Sequence, residues 1–145
     1  MKDMEGFFDV VTRSFAFLVD QYGFQLLSGP RHSSPDSIRY EKKPLVIEVG
    51  WYKGEIDIVF YVDLENDVFR PYVSRTFYLS ELARRQDKTA YRNGPRFPNY
   101  ITTRQEAQSA IQFEARVMRK CCKSVLQGDL RLLEEITRER TGKVR

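Results

Sequence analysis

From Ile38 to Leu64 the chain alternates apolar and polar residues with a period of two, the mark of strands with one buried face. The inward set is Ile38 and Tyr40, then Leu45, Ile47, Val49 and Trp51, then Ile56, Ile58, Phe60, Val62 and Leu64. Lys53-Gly54 fits a two-residue hairpin loop. That loop sets Trp51 opposite Ile56, Val49 opposite Ile58 and Ile47 opposite Phe60, so every apolar residue falls on one face. A slip by one residue would turn one strand's apolar set to water, which fixes the register. A turn at Lys43-Pro44 sets Tyr40 opposite Ile47, Ile38 opposite Val49 and Arg39 opposite Glu48. Proline is disfavoured at the second position of ordinary turns, so a longer connection is the alternative there. Phe24–Ser28 reads as a preceding strand, and 68–79 as a return strand after Pro71. A meander with one wholly apolar face must be covered by helix.

Helical spacing supplies the cover. Phe8, Val11, Phe15, Leu18, Val19 and Tyr22 form a stripe over 4–22, widened by Phe7, Val10 and Phe17, and Gly23 is placed to cap it. Asp9 and Arg13 are spaced to pair on its polar side. Ser80 reads as the cap of a short helix to Gln86. Thr103-Arg104-Gln105-Glu106 is a capping box that opens a long helix, 103–127. Its apolar side holds Ala107, Ala110, Ile111, Met118, Cys121, Cys122 and Val125; Arg116, Arg119, Lys120 and Lys123 lie on the other. Gly128 ends it, Asp129 caps a last short helix, and the charged tail from Arg138 is expected to fray. Residues 29–36 and 87–102 read as loops; the second is long for a compact domain and is expected to be functional, mobile or both. The expected fold class is α+β. It is an antiparallel β-meander of four to five strands, with the N-terminal helix and the long C-terminal helix packed on its apolar face, in one domain over 1–145.

The 145 residues suit one domain, and an aromatic share of 13% argues against disorder. The two cysteines, Cys121 and Cys122, are helix neighbours and point about 100° apart, which suits two small buried hydrophobes better than a disulfide. A reducing, cytoplasmic setting is expected. Neither a secretion signal nor an apolar run of membrane-spanning length is apparent, so no membrane association is expected. Charge is uneven. Residues 1–70 carry 8 Lys/Arg against 12 Asp/Glu, and residues 71–145 carry 16 against 8, so net −4 is followed by net +8. Such asymmetry points to a charged partner or to mutual attraction of the two halves.

Catalytic chemistry finds little to stand on. His32, the one histidine, sits with Ser33, Ser34 and Asp36 in turn-forming sequence without the strained Gly-x-Ser-x-Gly elbow. One histidine and two adjacent cysteines do not make a three- or four-ligand zinc site. Glu48 and Asp57 stand on adjacent strands, but acid–base work needs carboxyls whose environments differ, and a solvated acidic face explains them. No phosphate-binding glycine loop occurs. No enzyme activity, cofactor or metal is expected.

Two surfaces are candidates for partner binding. The outward face of the meander carries Glu48, Glu55, Asp57 and Asp63 around Tyr52, Val59 and Tyr61. The segment 84–104 interleaves Arg84, Arg85, Lys88, Arg92, Arg96 and Arg104 with Tyr91, Phe97 and Tyr100. Arginine can grip phosphate or carboxylate bidentately and aromatic rings can stack on bases, so this segment suits single-stranded nucleic acid. It equally suits an acidic protein surface, and a plain solvated loop pinned by its aromatics is the third reading.

The layout resembles small bacterial immunity proteins of polymorphic toxin systems. The resemblance is carried by Phe15-Ala16-Phe17-Leu18-Val19-Asp20-Gln21-Tyr22-Gly23-Phe24, by Ile38-Arg39-Tyr40-Glu41, by the Val46-to-Leu64 hairpin and by Tyr78-Leu79-Ser80-Glu81-Leu82. It spans roughly the first 85 residues and leaves out the long C-terminal helix. It implies a non-catalytic, stoichiometric binder that neutralises a cognate toxin. Nuclease inhibitors of this kind tend to be acidic, and the net charge of +4 cuts against a nuclease target unless the acidic sheet face acts locally. The expected function is therefore specific protein binding, with RNA or single-stranded DNA binding through 84–104 as the alternative.

Overall fold

The alternation over 38–62 becomes a sheet at the register its side chains dictate. The computed structural model describes residues 4–27, 37–52, 54–62, 76–96, 101 and 103–142. Strands β1 (Gln25–Leu27), β2 (Ser37–Lys42), β3 (Leu45–Tyr52), β4 (Glu55–Val62) and β5 (Thr76–Tyr78) form a five-stranded antiparallel meander in chain order. Trp51 faces Ile56, Val49 faces Ile58 and Ile47 faces Phe60. Tyr40 faces Ile47, Ile38 faces Val49 and Arg39 faces Glu48. The β2–β3 connection is the short one, Lys43-Pro44, and its peptide bond is cis, the form in which proline occupies the second turn position. The return strand of 68–79 is seen as Thr76–Tyr78, paired to β4 with Phe77 opposite Phe60; residues 68–75, the 29–36 loop with His32, and Lys53 lie outside the described residues.

Five α-helical segments and a sixth at the C-terminal side cover the inner face: α1 (Met4–Ser14), α2 (Ala16–Asp20), α3 (Leu79–Gln86), α4 (Arg104–Cys121), α5 (Lys123–Leu126) and α6 (Arg131–Gly142). The molecule is thus α+β, with α1 packed along α4 and α4 and α3 on β4. One core joins the layers: Phe7, Phe15, Leu18, Ile47, Phe60, Phe77, Leu82, Ile111, Met118 and Leu126 are all at most 2% exposed. A smaller cluster of Ile101, Ala107 and Ala110 closes over Trp51 and Ile56 at the hairpin end, where Ile101 N–H donates to the Gly54 carbonyl at 2.9 Å.

The expected 4–22 helix is broken at Phe15. On a straight helix positions 15 and 17 point about 200° apart, yet Phe15 and Phe17 are both buried, and the break turns both into the core. Gly23 closes α2 at φ +75°, with Phe24 N–H returning to the Leu18 carbonyl at 2.9 Å. The 103–127 helix breaks likewise at Cys122, whose thiol is buried with Cys121, Val125 and Leu126; both cysteines are free. Burial pushes the Cys122 thiol up to about 12. The capping box forms as expected: Thr103 Oγ1 accepts from Glu106 N at 3.1 Å and Glu106 Oε1 accepts from Thr103 N at 3.0 Å.

Two expectations are corrected. Ser80 does not cap α3. The helix starts at Leu79, directly after β5, because Phe77 and Leu79 must both enter the core, and no side chain caps it. Nor is the chain frayed from Arg138: α6 continues to Gly142. Its anchor is Arg140, which donates to the Thr76 carbonyl at 3.0 Å and to Glu81 Oε1 at 2.6 Å, with its guanidinium 4.9 Å from the Phe77 ring centre. Arg85 and Glu139 add a second ion pair between α3 and α6. No helix among the described residues is long and apolar enough to cross a membrane.

Candidate binding surface

The outward sheet face is built from cross-strand rows. One row runs Leu27, Arg39, Glu48, Val59, Tyr78, and its neighbour runs Gln25, Glu41, Val46, Tyr61, Thr76. Glu48 is half-buried in the middle and accepts from Arg39 Nε at 2.8 Å, so its charge is met within the face. Tyr61 is diagonal to it. Burial, and then the Glu48 carboxylate, raise the Tyr61 phenol above its ordinary pKa. Asp57 and Glu55 are exposed at the hairpin end, opposite Gly50 and Tyr52. Glu48 and Asp57 therefore stand out of register by two residues, about 7–8 Å apart along the diagonal. Asp63 lies outside the described residues. Of the described members of the acidic set, Glu55 and Asp57 stand together and open, while Glu48 and Tyr61 form a separate cluster with Arg39 and Tyr78.

The basic-aromatic segment divides in another way. After α3 the chain makes a series of turns over 88–93 that fold onto α4. Tyr91 points inward, edge-on to Phe113 at 5.7 Å between ring centres, and its hydroxyl donates to Glu114 Oε2 at 2.9 Å. The Arg84 guanidinium lies 4.9 Å from the Tyr91 ring centre. Gly94 passes so close to α4 that a Cβ there would stand 2.7 Å from Phe113 Cε2. Asp87 fastens the first turn by accepting from Thr89 N at 2.9 Å and Thr89 Oγ1 at 2.8 Å. Thus Arg84, Arg85 and Tyr91 hold the fold together, and the described part of the 87–102 loop is an ordered cap on α4. Lys88, Arg92 and Arg96 are exposed and make no side-chain bond among the described residues. Phe97 and Tyr100 lie outside them.

Two carboxyls in this region are perturbed in opposite directions: the Thr89 hydrogen bonds hold Asp87 below the usual carboxylate range, and burial governs Glu114. Burial drives Glu114 up to about 6, against the opposing pull of the Tyr91 hydrogen bond and the Arg84 charge.

Along α4 and onto the start of α5, the cations opposite the apolar side form an exposed ridge: Arg116, Arg119, Lys120 and Lys123. Both carboxylates of α4 are engaged elsewhere, Glu106 in the cap and Glu114 with Tyr91. Lys120 is the one ridge residue near an acid, 3.6 Å from Asp87. A cleft of 240 Å³ lined by Thr89, Asn93, Arg116 and Lys120 separates the ridge from the 88–93 turns. On its other side a groove of 280 Å³ runs between α4 and α1. The loop's exposed cations and the ridge therefore belong to one surface on the helical side, across the molecule from the acidic sheet face. Among the described residues no group of three His, Cys, Asp or Glu is arranged to hold a metal ion. No family model matches this chain, nor does any curated protein or solved structure.

Proposed function

We propose that this chain is a non-catalytic protein-binding domain, of the kind that immunity proteins exemplify, and that it engages an acidic surface of its partner through the α4 ridge and the adjoining Lys88 and Arg92. The observation that carries this reading is the ridge itself: three exposed cations on α4, whose own carboxylates are committed to the cap and to Tyr91, continued by Lys123 at the start of α5. An exposed set of like charges, of which only Lys120 has a described acidic neighbour, destabilises a fold modestly and accelerates encounter with an opposite surface. Arginine is enriched at such interfaces because its planar fork matches carboxylates. The described rings beside the ridge are engaged within the fold, Phe17 with Arg119 and Tyr22, Phe113 with Arg116 and Tyr91, and Tyr91 with Glu114, which favours protein over single-stranded nucleic acid.

The test is the native complex. The chain, isolated from its own cells, is expected to bring down a stoichiometric partner, and Arg116→Glu with Lys120→Glu and Lys123→Glu is expected to release it. Glu55→Lys with Asp57→Lys on the sheet face is expected to leave it bound. Release by the sheet-face pair alone would overturn the assignment of the surface. Saturable binding of a single-stranded DNA or RNA at about 50 mM salt, weakening steeply as salt rises, would replace the protein partner with a nucleic acid.

A further inference from the structure

The groove between α1 and α4 has a chemistry of its own. From α4 it is lined by Gln108, Gln112, Ala115, Arg116 and Arg119, one stripe at helical spacing. From α1 and α2 come Val10, Arg13, Ser14 and Phe17. Among the described residues no carboxylate lines it: the polar rim is three guanidiniums, two amides and a hydroxyl, over a floor of Val10, Phe17 and Ala115. Arg119 lies 5.3 Å from the centre of the Phe17 ring, so its flat face is taken, and stacking of this kind leaves the edge N–H groups for an acceptor. Phe17 is also met edge-on by Tyr22 at 6.3 Å. Arg13 has a local partner in Asp9 at 2.6 Å, but that pair is an exposed i,i+4 contact that a stronger acceptor can displace.

Length and shape narrow the occupant. From Gln108 to Arg119 the helix rises about 16 Å, the span of about five residues of extended peptide. A groove with donors along both rims and an apolar floor takes an acidic strand that sets an aliphatic side chain downward between flanking carboxylates. A nucleotide base would need a free aromatic face, and the ring on the floor is covered by Arg119 and Tyr22.

We infer that the α1–α4 groove is the seat of a short extended acidic peptide segment of the partner, with its carboxylates on Arg116, Arg119 and Arg13 and one aliphatic side chain over Val10 and Ala115. This deepens the proposed function and rests on it for the identity of the segment's owner, but the groove is tested without that owner.

The experiment is an amide chemical-shift titration of the whole chain with the peptide Glu-Glu-Leu-Glu-Glu, its ends blocked, at about 50 mM salt. Saturable shifts are expected at Val10, Ser14, Gln112, Ala115, Arg116 and Arg119, with none along β4. Arg116→Gln is expected to weaken the peptide about tenfold, the order of one charge-assisted hydrogen bond. Gln108→Glu with Gln112→Glu should weaken it at least as much. These two glutamines are exposed, so the double variant keeps the packing and only adds repelling charge. Shifts centred on 88–96, no saturable shift, or an equal response in the Gln→Glu variant would each overturn the groove assignment. Such a result leaves the ridge and its native partner standing, because that reading is decided by the complex. A blocked Lys-Lys-Leu-Lys-Lys peptide giving the same shifts would overturn the charge argument.

Discussion

Replacing Glu114 by Gln isolates the effect of burying a carboxylate beside Tyr91. The fold holds this carboxyl at about 6 against an ordinary 4.5, with burial as the leading cause. A raised acid pKa means that the fold prefers the protonated form. Its stabilising contribution is fully present below about pH 4.5 and is lost as pH rises through 6. The rise is worth roughly 2 kcal/mol, at roughly 1.4 kcal/mol for each pH unit. Gln keeps an oxygen to accept the Tyr91 hydroxyl and has no charge to desolvate. Urea unfolding, followed by the fluorescence of Trp51, the only tryptophan, gives both stabilities across the range. The quantity to read is the difference between variant and parent, because all other titrations cancel in it. That difference should move by roughly 2 kcal/mol in favour of Glu114→Gln between about pH 4.5 and about pH 7.5. Parallel profiles would refute the reasoning. A difference that moves the opposite way would mean that the Arg84 charge, rather than burial, governs the carboxyl.

Five further outcomes follow from the packing. Arg140→Ala should destabilise by about 2 kcal/mol in chemical denaturation, since it removes charge-assisted bonds to Thr76 and Glu81 and the stack on Phe77. By contrast Arg131→Ala, which breaks a surface pair with Asp129 whose arginine is almost wholly exposed, should leave the midpoint nearly unchanged. Gly94→Ala should lower stability by about 1 kcal/mol as the Phe113 ring gives way, and should shift the Tyr91 ring resonances. Tyr40→Phe should preserve or raise stability by about 1 kcal/mol, because the buried hydroxyl has no hydrogen-bond partner among the described residues. In the native chain Cys122 should react with Ellman's reagent only on unfolding, its thiol being buried and held in the protonated form.

The sheet could be read from the chain because its information is one-dimensional. Alternation places Ile47 against Phe60 and Arg39 against Glu48 before any third dimension is known, and the coordinates keep each of those pairs. Breaks in the helices could not be read that way. The break at Phe15 answers to where Phe15 and Phe17 must both go, and the one at Cys122 to the burial of two adjacent thiols; neither site carries a glycine or proline to announce it. The binding surface was harder still. Alternating Arg and Tyr over 84–100 reads as one exposed strip until Phe113 and Glu114, on a helix some twenty residues on, draw Tyr91 inward. Glu114, Gln108 and Gln112 gave no sign of a role, and Arg119 read only as part of the polar side, because a polar residue on an amphipathic helix looks the same whether its side meets water or a second helix. The available signal was the lack of any carboxylate along 108, 112, 116 and 119, which becomes meaningful once α1 lies alongside.

The contact between Arg140 and the Thr76 carbonyl also bears on how copies of this chain avoid one another. A meander ends in two margins, and each offers unpaired backbone groups to any passing strand. Here the described marginal strands are three residues each, too short to template much pairing. At β5 a carbonyl is already taken by a guanidinium from 64 positions further along the chain. Recruitment of an extra strand at that margin would have to displace α6's anchor first, so the same residue that fastens the last helix also guards the sheet against fibre-like growth.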